Sequence, residues 1–374
     1  MAGGDRIRVT YRIMASDLAE ARTRAHGIAL EQTVEVPDDV VPDGFIRDEI
    51  VGRIERLEPD KGAFEAVISY SPDSAGSEVI QLINVIFGNS SMQAGIRVTA
   101  IDTAAMSDRL PGPRFGIDGV RARTGRARGG LIAPVIKPQG SSHADLARIA
   151  ARCVAGGADI IKEDHGLANQ PMAPFEDRLR AVADAVGDAN ARHGGRTMYI
   201  ANVTGRGGDP IADAHRAKEL GATGVLLMPG LLGFQTVQAL AGDPAFDLPI
   251  MAHPAFSGAF VQSPDFGIAH GVMYGALQRA TGTDISIFPN VGGRFGFTEA
   301  DCHAIADACR TPRGHGHSIM PSPGGGMSVD RAADMAAMYG DDVVYLLGGS
   351  ILREGDRIGD AVAEMRRALD TAAG

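Results

Sequence analysis

The sequence predicts an α/β protein: an eight-fold (β/α)8 TIM barrel preceded by a small α+β domain of ferredoxin-like type. Three observations support this. Eight apolar strand-like runs rich in Val and Ile alternate with helix-like segments over about 245 residues, close to the roughly 250 that such a barrel needs. The first 115 or so residues break that alternation and follow the order βαββαβ. A Pro- and Gly-rich stretch, Leu110-Pro111-Gly112-Pro113-Arg114-Phe115-Gly116, separates the two regions, so the expected domains are 1–115 and 116–374.

In the amino-terminal region, residues 6–14 alternate with Ile7, Val9, Tyr11 and Ile13 on one face, as in a half-buried strand. Residues 17–30 have helical spacing and open on Ser16-Asp17, a suitable cap. Strands over 50–57 and 63–70 flank Glu58-Pro59-Asp60-Lys61-Gly62, whose composition suits a hairpin turn. A helix over 77–86 and a strand over 95–101 complete the order. Barrel strands are expected at 131–137, 159–164, 198–204, 224–228, 248–253, 284–289, 318–323 and 342–347. The helix after the first strand sets Leu146, Ile149 and Val154 on one stripe, and the next does so with Leu179, Val182 and Val186. A doubly wound open sheet would use the same units, but their number and total length favour closure.

A net charge of −10 argues against nucleic acid as the partner, because phosphate backbones attract a surplus of Lys and Arg. The one basic cluster, Arg121, Arg123, Arg126 and Arg128, reads as a solvated connector into the barrel. Cys153, Cys302 and Cys309 fall in helical segments with no CxxC pair, which fits a reducing compartment and gives no zinc signature. Cys302-His303 reads as ordinary packing. The amino terminus lacks the apolar core of a signal peptide, and no run reaches the roughly 20 apolar residues of a spanning helix. A soluble cytoplasmic protein is expected.

The chemistry-bearing residues gather at the carboxyl ends of the expected strands, which meet at one mouth in this architecture. Lys162-Glu163-Asp164-His165 closes the second strand, and solvated charges have little room on strands buried on both faces. Lys137 closes the first strand, Asn202 and Thr204 the third, and His253 the fifth; Arg294 follows the sixth. Gly324-Gly325-Gly326 and Gly348-Gly349-Ser350 end the seventh and eighth, where barrels commonly hold phosphate on exposed backbone N–H groups. Tight turns alone would also use glycine. The run Gly205-Arg206-Gly207-Gly208 fits no dinucleotide fingerprint. Such a mouth suits proton abstraction beside a carbonyl, with a metal holding the resulting enediolate.

From Arg114 to Gly349 the chain resembles the large subunit of RuBisCO, and more closely the short RuBisCO-like (form IV) proteins that do not fix carbon dioxide. The resemblance rests on Val135-Ile136-Lys137-Pro138, on Gly156-Gly157-Ala158-Asp159-Ile160-Ile161-Lys162-Glu163-Asp164-His165, and on Gln170-Pro171. It continues through Tyr199-Ile200-Ala201-Asn202-Val203-Thr204, Met338-Tyr339-Gly340-Asp341-Asp342 and Leu347-Gly348-Gly349. It implies that Lys162 is carbamylated by carbon dioxide, that Lys162, Asp164 and His165 hold Mg2+, and that Lys137 or His253 moves protons. It also implies a homodimer in which Glu31 and Asn84 of the small domain complete the partner's mouth.

The departures from that pattern are informative. His165 stands where the family has a glutamate ligand: as a ligand it would shift preference from Mg2+ toward Mn2+ or Co2+, and otherwise it would sit beside the site as a proton carrier. Pro254 replaces an arginine, Gln139 a second lysine, Gly324 a serine, and Arg294 the lysine of a lid that is otherwise missing. Carbon dioxide fixation on a bisphosphate is therefore not expected. The resemblance points to isomerisation of 5-methylthioribulose 1-phosphate through an enediolate, with phosphate on Gly324, Gly325, Gly326, Gly348 and Gly349 and with Asn202 as a further contact. Alternatives are the enolase of 2,3-diketo-5-methylthiopentyl 1-phosphate and a decarboxylase or transcarboxylase of 3-oxo-isoapionate 4-phosphate. A sugar-phosphate sensor without catalysis is the non-enzyme alternative.

Overall fold

The computed structural model describes residues 6–204, 207–311 and 316–372. Gly205 and Arg206 of the third glycine run lie outside the described residues. Strands β1 (Ile7–Ile13), β2 (Arg53–Asp60), β3 (Ala63–Tyr70) and β4 (Ile96–Asp102) form an antiparallel sheet in the order β4-β1-β3-β2. This is the arrangement that βαββαβ connectivity produces, with helices Leu18–Glu31 and Val79–Phe87 covering one face. Asp17 caps the first helix by accepting from the Glu20 N–H at 2.9 Å.

The hairpin differs in detail from the expectation. The strand pair runs on through Glu58-Pro59-Asp60, and the turn is only Lys61-Gly62, with φ of 39° and 79°. Two consecutive positive φ values make a type I′ turn, whose twist matches that of the flanking strands. Pro59 is tolerated because β2 is the edge of the sheet. Residues Ile46–Ile50 form a wide helical turn, so β2 starts only at Arg53.

The barrel consists of β5 (Leu131–Ile136), β6 (Ile160–Glu163), β7 (Met198–Asn202), β8 (Gly224–Leu227) and β9 (Ile250–Ala252), then β11 (Ile285–Pro289), β12 (Met320–Gly324) and β13 (Val344–Leu347). These eight strands close in chain order, all parallel, with β13 beside β5. The remaining strand, β10 (Gly267–Ile268), leaves the barrel and pairs in parallel with β4, extending the small sheet. Arg12 adds an ion pair to Asp265 at 2.6 Å beside it. Among the described residues no helix is long and apolar enough to cross a membrane.

Alternate residues fill the barrel: Leu131, Ala133 and Val135 of β5, Ile160 of β6, Met198 and Ile200 of β7, Met251 of β9 and Val344 and Leu346 of β13. Its floor is closed by helix Gly116–Thr124, which inserts Val120 and rests Ile117 against the same cluster. The basic cluster is thus not a loose connector. Arg121 lies in this helix and grips the Asp342 carboxylate at 2.8 Å and the Asp341 carbonyl at 2.7 Å. Asp284 fixes the entry to the helix, accepting from the Phe115 and Gly116 N–H groups at 2.8 and 2.9 Å. The three cysteines are buried and unpaired, as packing residues would be.

Behind β6 lies a fully buried ion pair. Glu163 Oε1 accepts from Arg178 Nε and from Tyr199 OH, both at 2.7 Å, and Oε2 accepts from the Asn202 backbone N–H at 2.8 Å. Arg178 also donates to the Ala168 and Ala173 carbonyls of the loop beyond β6. Removing one partner of such a pair strands the other charge. Arg178→Met should therefore lower stability by about 3–5 kcal/mol in urea denaturation. A loss of less than about 1 kcal/mol, the worth of a surface pair, would show that the pair is not structural.

Candidate active site

Side chains alternate along a strand, so counting on by two from the interior residues marks what reaches the mouth. From Val135 the count reaches Lys137, from Ile160 Lys162, from Met251 His253, and from Leu346 Gly348. Glu163 falls on the opposite face and is absent from the mouth, so only one of the two acids of the charged run serves it.

Lys162 is the most enclosed of these groups, 2 % exposed. Its Nζ donates to the Glu163 carbonyl at 2.7 Å. Burial pulls its ammonium down to about 8, with Asp164 opposing and Lys137 reinforcing the shift. Asp164 Oδ1 lies 3.9 Å from Lys137 Nζ and 3.7 Å from His165 Nδ1, while Oδ2 accepts from the Gly166 N–H at 3.1 Å. One carboxylate therefore sits among two lysines and a histidine.

His165 and His253 stack, with centroids 4.1 Å apart and planes inclined by 20°. Burial holds both rings below the usual imidazole range, His253 down to about 2, with the Lys162 charge acting in the same sense on each. The Ala255 N–H donates to His253 Nδ1 at 3.1 Å, which assigns the proton of the neutral ring to Nε2. Of the two residues expected to move protons, Lys137 or His253, the latter is thus arranged to donate a hydrogen bond from Nε2.

Asn202 also departs from expectation. Its Nδ2 donates to the Leu167 and His165 carbonyls at 2.6 and 3.2 Å, and its Oδ1 accepts from the Thr204 N–H at 3.1 Å. With its amide committed to backbone groups, it positions the loop that carries Asp164 and His165 and is not free to bind phosphate.

The glycine turns lie where the sequence places them. Gly325 and Gly326 have φ of 95° and 64° after β12, and Gly349 opens the short helix Gly349–Leu352 after β13. A Cβ on Gly348 would stand 3.6 Å from Lys137 Nζ, which brings that lysine to the eighth strand's turn. Arg294 is exposed in the loop after β11, its guanidinium 5.1 Å from the Phe295 ring centroid. Its charge reaches the mouth and helps lower His165.

Arg331 was not singled out from sequence, because it lies in a short turn, Val329–Arg331, beyond any motif. Its Nη1 donates to the Gly326 carbonyl at 2.6 Å, and its guanidinium reaches the Val291 carbonyl at 3.3–3.4 Å. It thereby ties the Arg294 loop to the glycine turn. A Cβ on Gly326 would meet Arg331 Nη1 at 2.7 Å, so glycine is needed there for the fork to lie flat.

Glu31 and Asn84 stand apart from this mouth. Glu31 ends helix Leu18–Glu31 and accepts from Asn89 Nδ2 at 2.9 Å. Asn84 is exposed on helix Val79–Phe87, and its carbonyl accepts from Gln32 Nε2 at 2.7 Å. The two helices are thereby held side by side.

Among the described residues no three His, Cys, Asp or Glu converge as a metal cage. Asp164 and His165 supply two ordinary ligands, so a divalent cation would need a third from Lys162. An ammonium cannot ligate, but a carbamate on the same nitrogen offers hard oxygens. The low pKa of Lys162 favours the neutral amine that must attack carbon dioxide, so the residues present fit such a group.

Comparison with known proteins adds an independent line. The family described as ribulose bisphosphate carboxylase large chain, catalytic domain, matches residues 116–373. The 5-methylthioribulose-1-phosphate isomerase of Rhodospirillum rubrum is 38% identical over 365 residues, spanning 96% of this chain and 95% of that protein. The 2,3-diketo-5-methylthiopentyl-1-phosphate enolase of Bacillus pumilus is 34% identical over 292 residues, spanning 77% of this chain and 71% of its own. A crystal structure of a Rubisco-like protein from Rhodopseudomonas palustris matches with TM-score 0.84 at 35% identity, covering 98% of this chain and 97% of that one.

The bridge made by Arg331 yields an expected outcome. Arg331→Ala should weaken inorganic phosphate binding about tenfold in calorimetry by freeing the glycine turn, about the worth of a charged hydrogen bond. Arg331→Lys should restore only part of it, since one ammonium lacks the planar fork. An unchanged affinity in Arg331→Ala would show that the bridge does not position the turn.

Proposed function

The chain belongs to the RuBisCO large-chain family, among its RuBisCO-like proteins, and on that footing we propose that it isomerises 5-methylthioribulose 1-phosphate without fixing carbon dioxide. The observation that carries this reading is the mouth itself, where Lys137, Lys162 and His165 lie about the Asp164 carboxylate and His253 stacks on His165. Near full-length likeness to a protein named for that isomerase supports it. Pro254 and Gln139, standing where the carboxylases have cations, argue against a bisphosphate substrate.

In this reading the phosphate rests on the turns at Gly324–Gly326 and Gly348-Gly349, braced by Arg331. Lys137, close to both Asp164 and Gly348, is placed to take a proton from carbon and return it to the neighbouring carbon. His253 donates Nε2–H to a substrate oxygen and keeps that oxygen oriented. Arg294 screens the substrate's negative charge from the exposed side. Carbamylated Lys162, Asp164 and His165 would hold Mg2+, Mn2+ or Co2+, which would supply Lewis-acid stabilisation to the enediolate oxygens. Burial of Lys162 serves this by keeping more of its amine neutral near pH 8 than an exposed lysine could.

The enolase reading rests on relatives named for that enzyme, among them the Bacillus pumilus protein, which are 29–34% identical to this chain against 38% for the protein named as the isomerase. Both reactions start with proton abstraction and differ in where the proton goes. Incubation with 5-methylthioribulose 1-phosphate in deuterium oxide should place deuterium on the neighbouring carbon of an isomerised product. Turnover of the diketo compound with none of the ketose would overturn the assignment. Activation by bicarbonate and magnesium should rise with pH through about 8, because the reactive amine is the deprotonated form of Lys162. Lys162→Arg should fold but be nearly inactive.

We further propose that the active unit is a homodimer in which Glu31 and Asn84 reach the partner's mouth. Both lie on the same edge of the small domain. Beside them Met92, in the turn that contains Asn89, is 78 % exposed, as a contact residue awaiting a partner would be. Closed two-fold dimers are the commonest oligomers. Sedimentation analysis should show a dimer, and a fully active monomer would exclude the idea.

A further inference from the structure

We propose that the floor of the barrel, opposite the mouth, carries a second anion site that takes an organic di- or triphosphate of nucleotide size. The reasoning starts from the basic cluster before β5, which the mouth leaves unused. Arg121 is spent on Asp342, and Arg123 stacks on Phe115 and reaches the Asp247 carbonyl. Arg126 and Arg128 turn instead into a cleft of about 660 Å3. That volume lies within the roughly 300–1,000 Å3 of small-molecule sites. The cleft runs between the turn before β5, the approach to β6 at Asp159, and the approach to β7, which brings His193 and Arg196.

The charges there do not balance. Arg128 and Arg196 are exposed and have no ion-pair partner among the described residues. Arg126 pairs with Asp370 through Nη2, but its Nε is buried and unpartnered. Arg366 pairs with the buried Asp159 one layer deeper, close enough to Arg126 for the two guanidiniums to repel. Four guanidiniums therefore face two carboxylates, in a chain whose net charge is −10. Positive charge concentrated in a cleft of an acidic protein focuses anions. Planar guanidinium forks match phosphate oxygens in pairs. A cleft larger than one phosphate with Arg126, Arg128 and Arg196 in its lining suits two or more phosphate groups on an organic body.

The site stands independently of the reaction at the mouth, and the test keeps the two apart. Full-length protein would be titrated calorimetrically with pyrophosphate, ATP and citrate, alongside Arg128→Ala/Arg196→Ala and the mouth variant Lys137→Met. ATP and pyrophosphate should bind the wild type and Lys137→Met alike. In the floor variant they should bind at least about tenfold more weakly, the scale of losing charged hydrogen bonds. Citrate should bind at least about tenfold more weakly than ATP. Both substituted arginines are exposed, so the floor variant should keep the wild-type unfolding temperature without ligand, and ATP should raise that temperature only in the wild type and Lys137→Met. Equal affinity in the floor variant, loss of all binding in Lys137→Met, or citrate binding as tightly as ATP would each overturn the proposal.

Discussion

The site depends on one buried carboxylate that never touches it. Glu163 spends its oxygens on Arg178, Tyr199 and the backbone of Asn202, and so pins β6 from behind. Because strand side chains alternate, fixing Glu163 outward fixes Lys162 inward. Arg178 extends the hold to the Ala168 and Ala173 carbonyls, so the loop after β6 cannot drift. Asn202, itself held by Glu163, grips that loop at the His165 and Leu167 carbonyls. A charge at the back of the strand thus sets the placement of Lys162, Asp164 and His165. Burying such a pair costs desolvation, and here the return is geometric definition of the mouth.

The mouth built on that support is rich in cations. Lys137 and Lys162 lie close to Asp164, Arg294 adds its charge near His165, and the two stacked imidazoles are held neutral chiefly by burial, with the Lys162 charge acting on both. Such a field favours anionic ligands and any negative charge that develops on them. It also separates the roles of the two nitrogen bases. His253, with Nδ1 accepting from Ala255, offers a donor, while Lys137 sits at the junction of the Asp164 carboxylate and the turn after β13.

The barrel and the small sheet are joined by more than a linker. Strand β10 comes from the barrel's chain yet pairs with β4, and Gln238 bonds both the Val79 N–H and the Ser77 carbonyl at the start of helix Val79–Phe87. That helix carries Asn84, and Gln32 locks it to the helix that carries Glu31. The small domain therefore presents Glu31 and Asn84 from a stiff platform.

Local periodicity alone located the barrel strands, because a parallel strand covered on both faces must be apolar and each must be followed by a returning helix. The carboxyl ends of the expected strands placed Lys137, Lys162, His253 and Gly348 at the mouth, and the packed interior then showed that each continues an inward-facing row. Turn composition placed the hairpin too, though not that the strands run on to Lys61-Gly62, which depends on pairing between strands of the sheet. Other features were decided by groups far apart in sequence. Asn202 could be identified as lying at the mouth, but its consumption by the Leu167 carbonyl, 35 residues away, could not. Arg331 became significant only when its guanidinium met Val291, 40 residues away. The basic residues before β5 read as solvated until the floor helix turned Arg121 onto Asp342, 221 residues on. Spacing encodes which face a side chain takes, whereas its hydrogen-bond partners are fixed only when the barrel closes and brings distant strand ends together.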